Sequence, residues 1–208
     1  PASWSTNWEY FNPNVDKCNA SFTLEGDGWC AVDKPDDAFT DGKLAATAVQ
    51  RLGELRALQN ASDGGQRWLL AVGFHKPHVP TAIPMKYYAM QQPLEQIAIT
   101  PYPYFSHDTP PVAYYECTNM ENASFRYNLT TPVPDDLQRE YRRAYHGGVS
   151  FVDAQAGRVL DALEANGFKD NTVVPPARVE PAISCSRTCC LLPGDYELAA
   201  GGLLGRSW

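Results

Sequence analysis

The sequence lacks the features of several functional classes. It contains no apolar run of about 18 residues, the length a membrane-spanning helix needs. Positive charge is in deficit, with 17 Lys and Arg against 24 Asp and Glu, which argues against a generic nucleic-acid binder. A disorder signature is also missing, since 44% of the 208 residues are hydrophobic. A globular chain with a sizeable core, and with neither a membrane nor a nucleic-acid partner, is therefore expected.

Cysteine usage and sequons bear on the compartment. Cys18 and Cys30 bracket a polar loop, and a disulfide closing it would stabilise the fold by roughly 3 kcal/mol. The alternative is two buried free thiols. Four glycosylation sequons, more than the one or two expected by chance, begin at Asn19, Asn60, Asn122 and Asn128. Together these features favour an oxidising, secretory compartment.

The first half of the chain is expected to contain one helix and one strand. Residues 1–35 are interpreted as irregular surface structure. A helix capped by Thr40 or Asp41 is expected to continue to about residue 58. Its apolar face comprises Leu44, Ala48, Val49, Leu52 and Leu55. A buried strand is expected over 67–72, and residues 80–134 are too rich in proline for more than a short helix over 85–90.

The second half is dominated by one predicted helix, residues 135–166. Asp135 and Asp136 suit its positive N-terminus, and Gly167 is a natural residue for its C-terminal end. Gly147-Gly148 could kink the helix or allow a neighbouring backbone to approach closely. The predicted apolar stripe comprises Leu137, Tyr141, Tyr145, Val149, Val152, Ala156, Val159, Leu160 and Leu163. A buried strand over 171–174 should follow, so alternating strands and helices predict an α/β fold.

Residues 73–80 (Gly-Phe-His-Lys-Pro-His-Val-Pro), here called the histidine loop, follow the predicted strand 67–72. Polar groups at a strand's carboxyl end commonly form active sites in α/β proteins. Pro77 biases Lys76 away from helical geometry, so the segment is predicted to be an extended loop. From the residues alone, His75 and His78 could equally satisfy backbone groups, and Lys76 could be a solvated charge.

The histidine loop and its flanks resemble the sulfatase family, in particular its iduronate-2-sulfatase branch. The matching segments are Leu70 to Pro80, Pro110-Pro111-Val112-Ala113-Tyr114, Val149-Ser150-Phe151-Val152-Asp153 and Asn171-Thr172-Val173-Val174. With weaker matches between them they span residues 3–174. Residues 1–174 are therefore interpreted as part of a sulfatase catalytic domain, and 175–208 as an unrelated tail.

The resemblance implies an alkaline-phosphatase-like α/β fold with a largely parallel sheet between helices, incomplete in this chain. It implies hydrolysis of sulfate esters on a sulfated glycosaminoglycan in the lysosome. His78 would contact the sulfate or protonate the leaving oxygen, Lys76 would supply positive charge, and His75 would orient the loop or contact the substrate. A calcium ion is expected in the complete enzyme, with ligands that are not present in this chain.

The chain departs from the family pattern at two motifs. It has no C-x-P-S-R motif, the source of the formylglycine nucleophile, and no Asp-His-Gly, which supplies calcium ligands. The abrupt change at Pro175-Pro176 is interpreted as a translated intron or a frameshift, and the chain as an internal fragment. A zinc site at Cys185, Cys189 and Cys190 has the wrong spacing. Two alternatives to a sulfatase remain: a non-catalytic secreted or lysosomal glycoprotein, and a phosphodiesterase of the same superfamily.

Overall fold

A three-stranded sheet lies at the centre of the computed structural model, which describes residues 23–26, 28–62, 67–104, 108, 110 and 130–175. The strands are β1 (Thr23–Gly26), β2 (Trp29–Val32) and β3 (Thr81–Pro84), in the order β1-β2-β3. β1 pairs with β2 antiparallel, and β2 pairs with β3 parallel. All residues of β2 and β3 are buried, as expected for strands covered on both faces.

The hairpin β1–β2 corrects the expectation of irregular structure up to residue 35. Gly26 is the register partner of Trp29, so only Asp27-Gly28 connects the two strands. Gly28 has a φ of 73°, which glycine adopts without steric cost. Asp-Gly between extended segments is a hairpin signal that the sequence interpretation missed.

The described residues form three helices: α1 (Thr40–Ala61), α2 (Met85–Ala89) and α3 (Asp135–Ala165). α2 and α3 contact the sheet, and α1 packs on α3. Short 3-10 turns occupy Asp36–Ala38, Leu94–Gln96 and Lys169–Asn171. The three helices predicted from the sequence are confirmed, with boundaries shifted by at most a few residues. The α1 cap is Phe39 rather than Thr40 or Asp41, which lie inside the first turn. Among the described residues, no helix has the length and apolar character needed to cross a bilayer.

The parallel pair β2–β3 is joined through α1, which is the connection expected of an α/β protein. The α/β fold class is therefore confirmed for this unit. The larger, mainly parallel sheet stays a prediction, because only one parallel pair lies within the described residues.

Segments 67–72 and 171–174 are not strands, contrary to the sequence interpretation. Only Ala71 forms an isolated bridge, and Leu69 is 49% exposed. Val173 and Val174 are 89% and 51% exposed. An apolar run becomes a strand only where another strand supplies hydrogen bonds, and neither segment finds a ladder in the part of the chain that is described.

Two apolar clusters hold the elements together. The first joins β2, β3 and α2 to α3, with Phe151 fully buried and Trp29 stacked on Tyr88 at 4.8 Å between ring centroids. The second joins α1 to the end of α3 through Leu52, Leu55 and Phe168, and Trp68 packs edge-on against Phe168. Each helix therefore contributes to at least one cluster.

The buried face of α3 is offset from the predicted apolar stripe. Its buried residues are Ala144, Gly147, Gly148, Phe151 and Gln155. Two members of the predicted stripe, Val149 and Leu160, are 45% and 48% exposed. The predicted stripe is right in part, because Tyr141, Val159 and Leu163 pack against the two clusters. The closest contact with the sheet is made by small residues, which flank the fully buried Phe151.

The double glycine makes this close approach possible. A Cβ atom at Gly147 would lie 2.6 Å from Ile83 Cδ1 and 3.3 Å from the Tyr87 carbonyl oxygen. A Cβ atom at Gly148 would lie 3.2 Å from Pro77 Cβ. The predicted close approach is thereby confirmed, and it brings α3 directly against the histidine loop.

Replacing Gly147 with alanine should destabilise the fold by about 1–3 kcal/mol, because the added methyl group overlaps Ile83. Gly157→Ala is the matched control in the same helix, since a Cβ there has no neighbour within 4 Å. The control should stabilise the fold by up to about 1 kcal/mol through helix propensity. Urea unfolding measures both changes, and equal midpoints for the two variants would contradict the packing described here.

Candidate functional site

The histidine loop leads into β3 instead of following a strand. His78 N donates to the His75 carbonyl at 3.1 Å, which closes a turn around the Lys76-Pro77 pair. The Lys76–Pro77 and Val79–Pro80 peptide bonds are cis. The prediction that this segment is a loop and not a helix is confirmed. Its support comes from β3 on the C-terminal side and from α1 and α3.

Asp41 attaches the loop to α1. Its Oδ1 accepts from His75 N at 2.8 Å, and its Oδ2 accepts from Lys76 N at 2.9 Å. The residue is 1% exposed. From the sequence Asp41 is expected only as a helix cap, because its position in the first turn of α1 gives no signal of contacts more than thirty residues away.

The two imidazoles of the loop lie side by side. The ring centroids of His75 and His78 are 4.5 Å apart, with 35° between the ring planes. His78 Nδ1 lies 2.5 Å from the Val79 carbonyl oxygen. A carbonyl only accepts, so the hydrogen of this bond resides on Nδ1, and the second hydrogen-bonding position of the ring is Nε2.

Lys76 is buried within the loop. It is 2% exposed, and its Nζ donates to the Pro80 carbonyl at 2.8 Å. The alternative of a solvated surface charge is therefore wrong. The ammonium instead joins the middle of the loop to its last residue and places a positive charge in the loop interior.

His75 is held in its neutral form. Burial lowers its pKa from 6.5 to about 3, and the charges of Lys76 and His78 lower it in the same direction. Between pH 5 and 8 an imidazole with this pKa carries no charge. His75 is thus suited to hydrogen bonding and packing rather than to neutralising an anion.

The other predicted site residues lie elsewhere or outside the described part. Cys30 is disulfide-bonded, and the remaining five cysteines lie outside the described residues, so its pairing with Cys18 stays a prediction. Asn60 is exposed in the last turn of α1. Asn19, Asn122, Asn128 and Cys185, Cys189 and Cys190 also lie outside the described residues.

The described residues do not fit the calcium site expected from the family resemblance. No group of three or more His, Cys, Asp or Glu side chains among them could hold a metal ion. Both carboxylate oxygens of Asp41, which lies at the loop, accept backbone N–H groups. The calcium ion of the complete enzyme stays an expectation, with ligands outside this chain.

The depressed pKa of His75 should make stability depend on pH. Below about pH 6.5 the unfolded chain takes up a proton that the folded chain takes up only near its pKa of about 3. Stability should therefore fall as pH decreases, and His75 should account for roughly 2 kcal/mol of the loss by about pH 5. His75→Gln should remove that part of the loss. Urea unfolding measured above pH 6.5 and again at about pH 5 gives the loss for each variant.

His146→Gln is the control, because His146 is exposed on α3. It should leave the pH dependence as in the unmodified chain. A wild-type stability that is level over this pH range, or a His75→Gln variant that is equally sensitive, would contradict the buried, neutral state of His75.

Comparison with known proteins gives a family relationship for this chain. No protein-family model matches the chain. It is 31% identical over 192 residues to iduronate 2-sulfatase of Mus musculus and 32% identical over 192 residues to the Homo sapiens protein of that name. These alignments cover 84% of this chain and 33% of each relative. A sulfatase of Formosa agariphila is 34% identical over 147 residues, which is 70% of this chain and 26% of that protein.

The chain thus spans about a third of the length of the two iduronate 2-sulfatases that it matches. The aligned share of the chain is large, and three matched proteins carry sulfatase in their names. This chain is therefore related to the sulfatase family.

Proposed function

We propose that this chain is part of a sulfuric ester hydrolase and that its histidine loop faces the sulfate group of the substrate. One observation carries the proposal: the loop brings His75, Lys76 and His78 together in a closed turn, with their backbone fixed by Asp41 and β3. A sulfate ester transfers a compact anionic group, so its hydrolysis depends on positioned positive charge and proton donors.

His78 is assigned to the sulfate or to the leaving oxygen. Its Nδ1 bond to the Val79 carbonyl orients the ring and directs proton exchange to Nε2. Protonated at Nε2, the ring can donate to an ester oxygen as the bond to sulfur breaks. The partial exposure of His78 is compatible with access of substrate to the loop.

Lys76 is assigned a supporting electrostatic role. Its ammonium is buried, so its field acts in surroundings of lower dielectric than water. Burial is the main cause of the lowered pKa of His75, and the charge of Lys76 acts in the same direction. His75, being neutral, is assigned to orienting the loop rather than to binding the anion.

The chain taken alone should not turn over a sulfate ester. The sequence has neither a C-x-P-S-R motif nor Asp-His-Gly, and no calcium-binding set lies within the described residues. The formylglycine nucleophile and the ligands of the calcium ion would have to come from other residues. Residues 1–174 are accordingly proposed to be part of the catalytic domain and 175–208 a separate tail.

A sulfated glycosaminoglycan is the proposed substrate, and the lysosome or secretory pathway the proposed location. The names of two matched relatives support an iduronate-2-sulfate substrate. The disulfide at Cys30 and the exposed Asn60 of a sequon fit an oxidising compartment.

Sulfate binding tests the assignment of the loop. Titration of the chain with inorganic sulfate, followed by the imidazole NMR signals, should shift the His78 resonances. His78→Gln should weaken binding about tenfold or more, because a bond between charged groups is lost. His146→Gln is the matched control on the exposed face of α3 and should bind as the unmodified chain does. Equal binding by both variants would refute the role of His78.

An activity assay tests the enzyme class. The chain should give no turnover of a chromogenic sulfate ester, whereas a product joining it to C-x-P-S-R and Asp-His-Gly segments should be active. In that product His78→Gln should reduce kcat by about 10²–10⁴-fold, as for loss of a general acid. Turnover by the chain alone would overturn the argument that the nucleophile is missing. A joined product that folds but cleaves only phosphate diesters would instead favour the phosphodiesterase alternative.

A further inference from the structure

We infer that Asp41 is a positioning residue for the histidine loop: its carboxylate, in the first turn of α1, holds two consecutive loop amides and thereby sets the place of His78. This inference rests on the proposed function, in which His78 contacts the sulfate. Asp41 is not proposed to touch substrate, since both of its oxygens accept backbone N–H groups.

The contact is bidentate and buried. The His75 amide donates to one oxygen at 2.8 Å and the Lys76 amide to the other at 2.9 Å. Asp41 is 1% exposed, so water does not compete freely for these bonds. The two bonds hold the two peptide units on either side of the His75 Cα, and the second of these, between His75 and Lys76, is held through its N–H.

This peptide unit is linked directly to His78. Its carbonyl, that of His75, accepts from the His78 amide at 3.1 Å. The His78 ring is then turned by its own Nδ1 bond to the Val79 carbonyl. A displacement of the peptide unit would therefore move the His78 backbone and its ring together.

A carboxylate is required at position 41 for a chemical reason. An asparagine offers one acceptor oxygen, and its NH₂ group would face one of the two amide donors. The N-terminal turn of a helix also favours a negative charge, which suits Asp41 near the start of α1. Asp41→Asn thus removes one of the two hydrogen bonds to the loop and places its NH₂ group against a backbone N–H, while the size of the side chain is kept.

Comparing Asp41→Asn with Asp136→Asn tests the inference. Asp136 is also the second residue of its helix, α3, but it is exposed. Asp41→Asn should shift the His78 ring signals, weaken the His75–His78 ring contact in NMR, and reduce affinity for inorganic sulfate about tenfold. Asp136→Asn should change none of these. A folded Asp41→Asn variant with wild-type ring signals and sulfate affinity would overturn the inference.

The two proposals fail in different ways. If the unmodified chain binds no sulfate, the proposed function is contradicted, while the ring signals of Asp41→Asn still decide the role of Asp41. If that variant does not fold, scalar couplings across hydrogen bonds decide the question in the unmodified chain. Couplings from the His75 and Lys76 amide nitrogens to the Asp41 carboxyl carbon should be present, and their absence would overturn the inference.

Discussion

The close approach of α3 to β3 and to the histidine loop is the constraint on which the rest of the structure depends. It is possible because Gly147 and Gly148 present no side chains where Ile83 and Pro77 lie. The same approach buries Phe151 and places Gln155 within reach of Asp36 at 3.0 Å. Pro77 of the loop therefore rests on α3, while Asp41 binds the neighbouring His75 and Lys76 amides to α1.

The resulting loop is rigid for identifiable reasons. The His75 and Lys76 amides are bound by Asp41, the Lys76 ammonium bonds the carbonyl of the last loop residue, Pro80, and that residue leads into the parallel pair β2–β3. Burial keeps His75 uncharged, so the positive charges of the loop are those of Lys76 and of His78 when protonated. A preformed loop of this kind needs little reorganisation when an anion arrives, which is the arrangement that electrostatic catalysis favours.

The helices were predictable from the sequence, whereas strand pairing was not. The acids at the start of α3 and Gly167 at its end are local signals, and α1 has an apolar face that depends only on its own residues. Segment 67–72 is mainly apolar and segment 171–174 is mainly β-branched, but a ladder requires a partner strand that the segment itself does not encode. The Asp27-Gly28 turn was a local signal, obscured by the polar residues around it.

The site was predictable as a set of residues but not as a geometry. The composition of the loop and its resemblance to the sulfatases predict His75, Lys76 and His78 as site residues, and their roles stay a prediction. The burial of Lys76 and the part played by Asp41 depend on contacts between segments far apart in sequence. The predicted stripe of α3 was right in part, since Tyr141, Val159 and Leu163 pack against the clusters. It missed the closest contact, at Gly147, because glycine carries no hydrophobic signal.

Amide hydrogen exchange at His75 and Lys76 tests most directly whether the loop is preformed by Asp41. The account predicts that both amides exchange as slowly as the interior amides of α1, with rates that follow global unfolding in denaturant. Amides that exchange as rapidly as those of exposed residues near Leu69, while α1 stays protected, would contradict it.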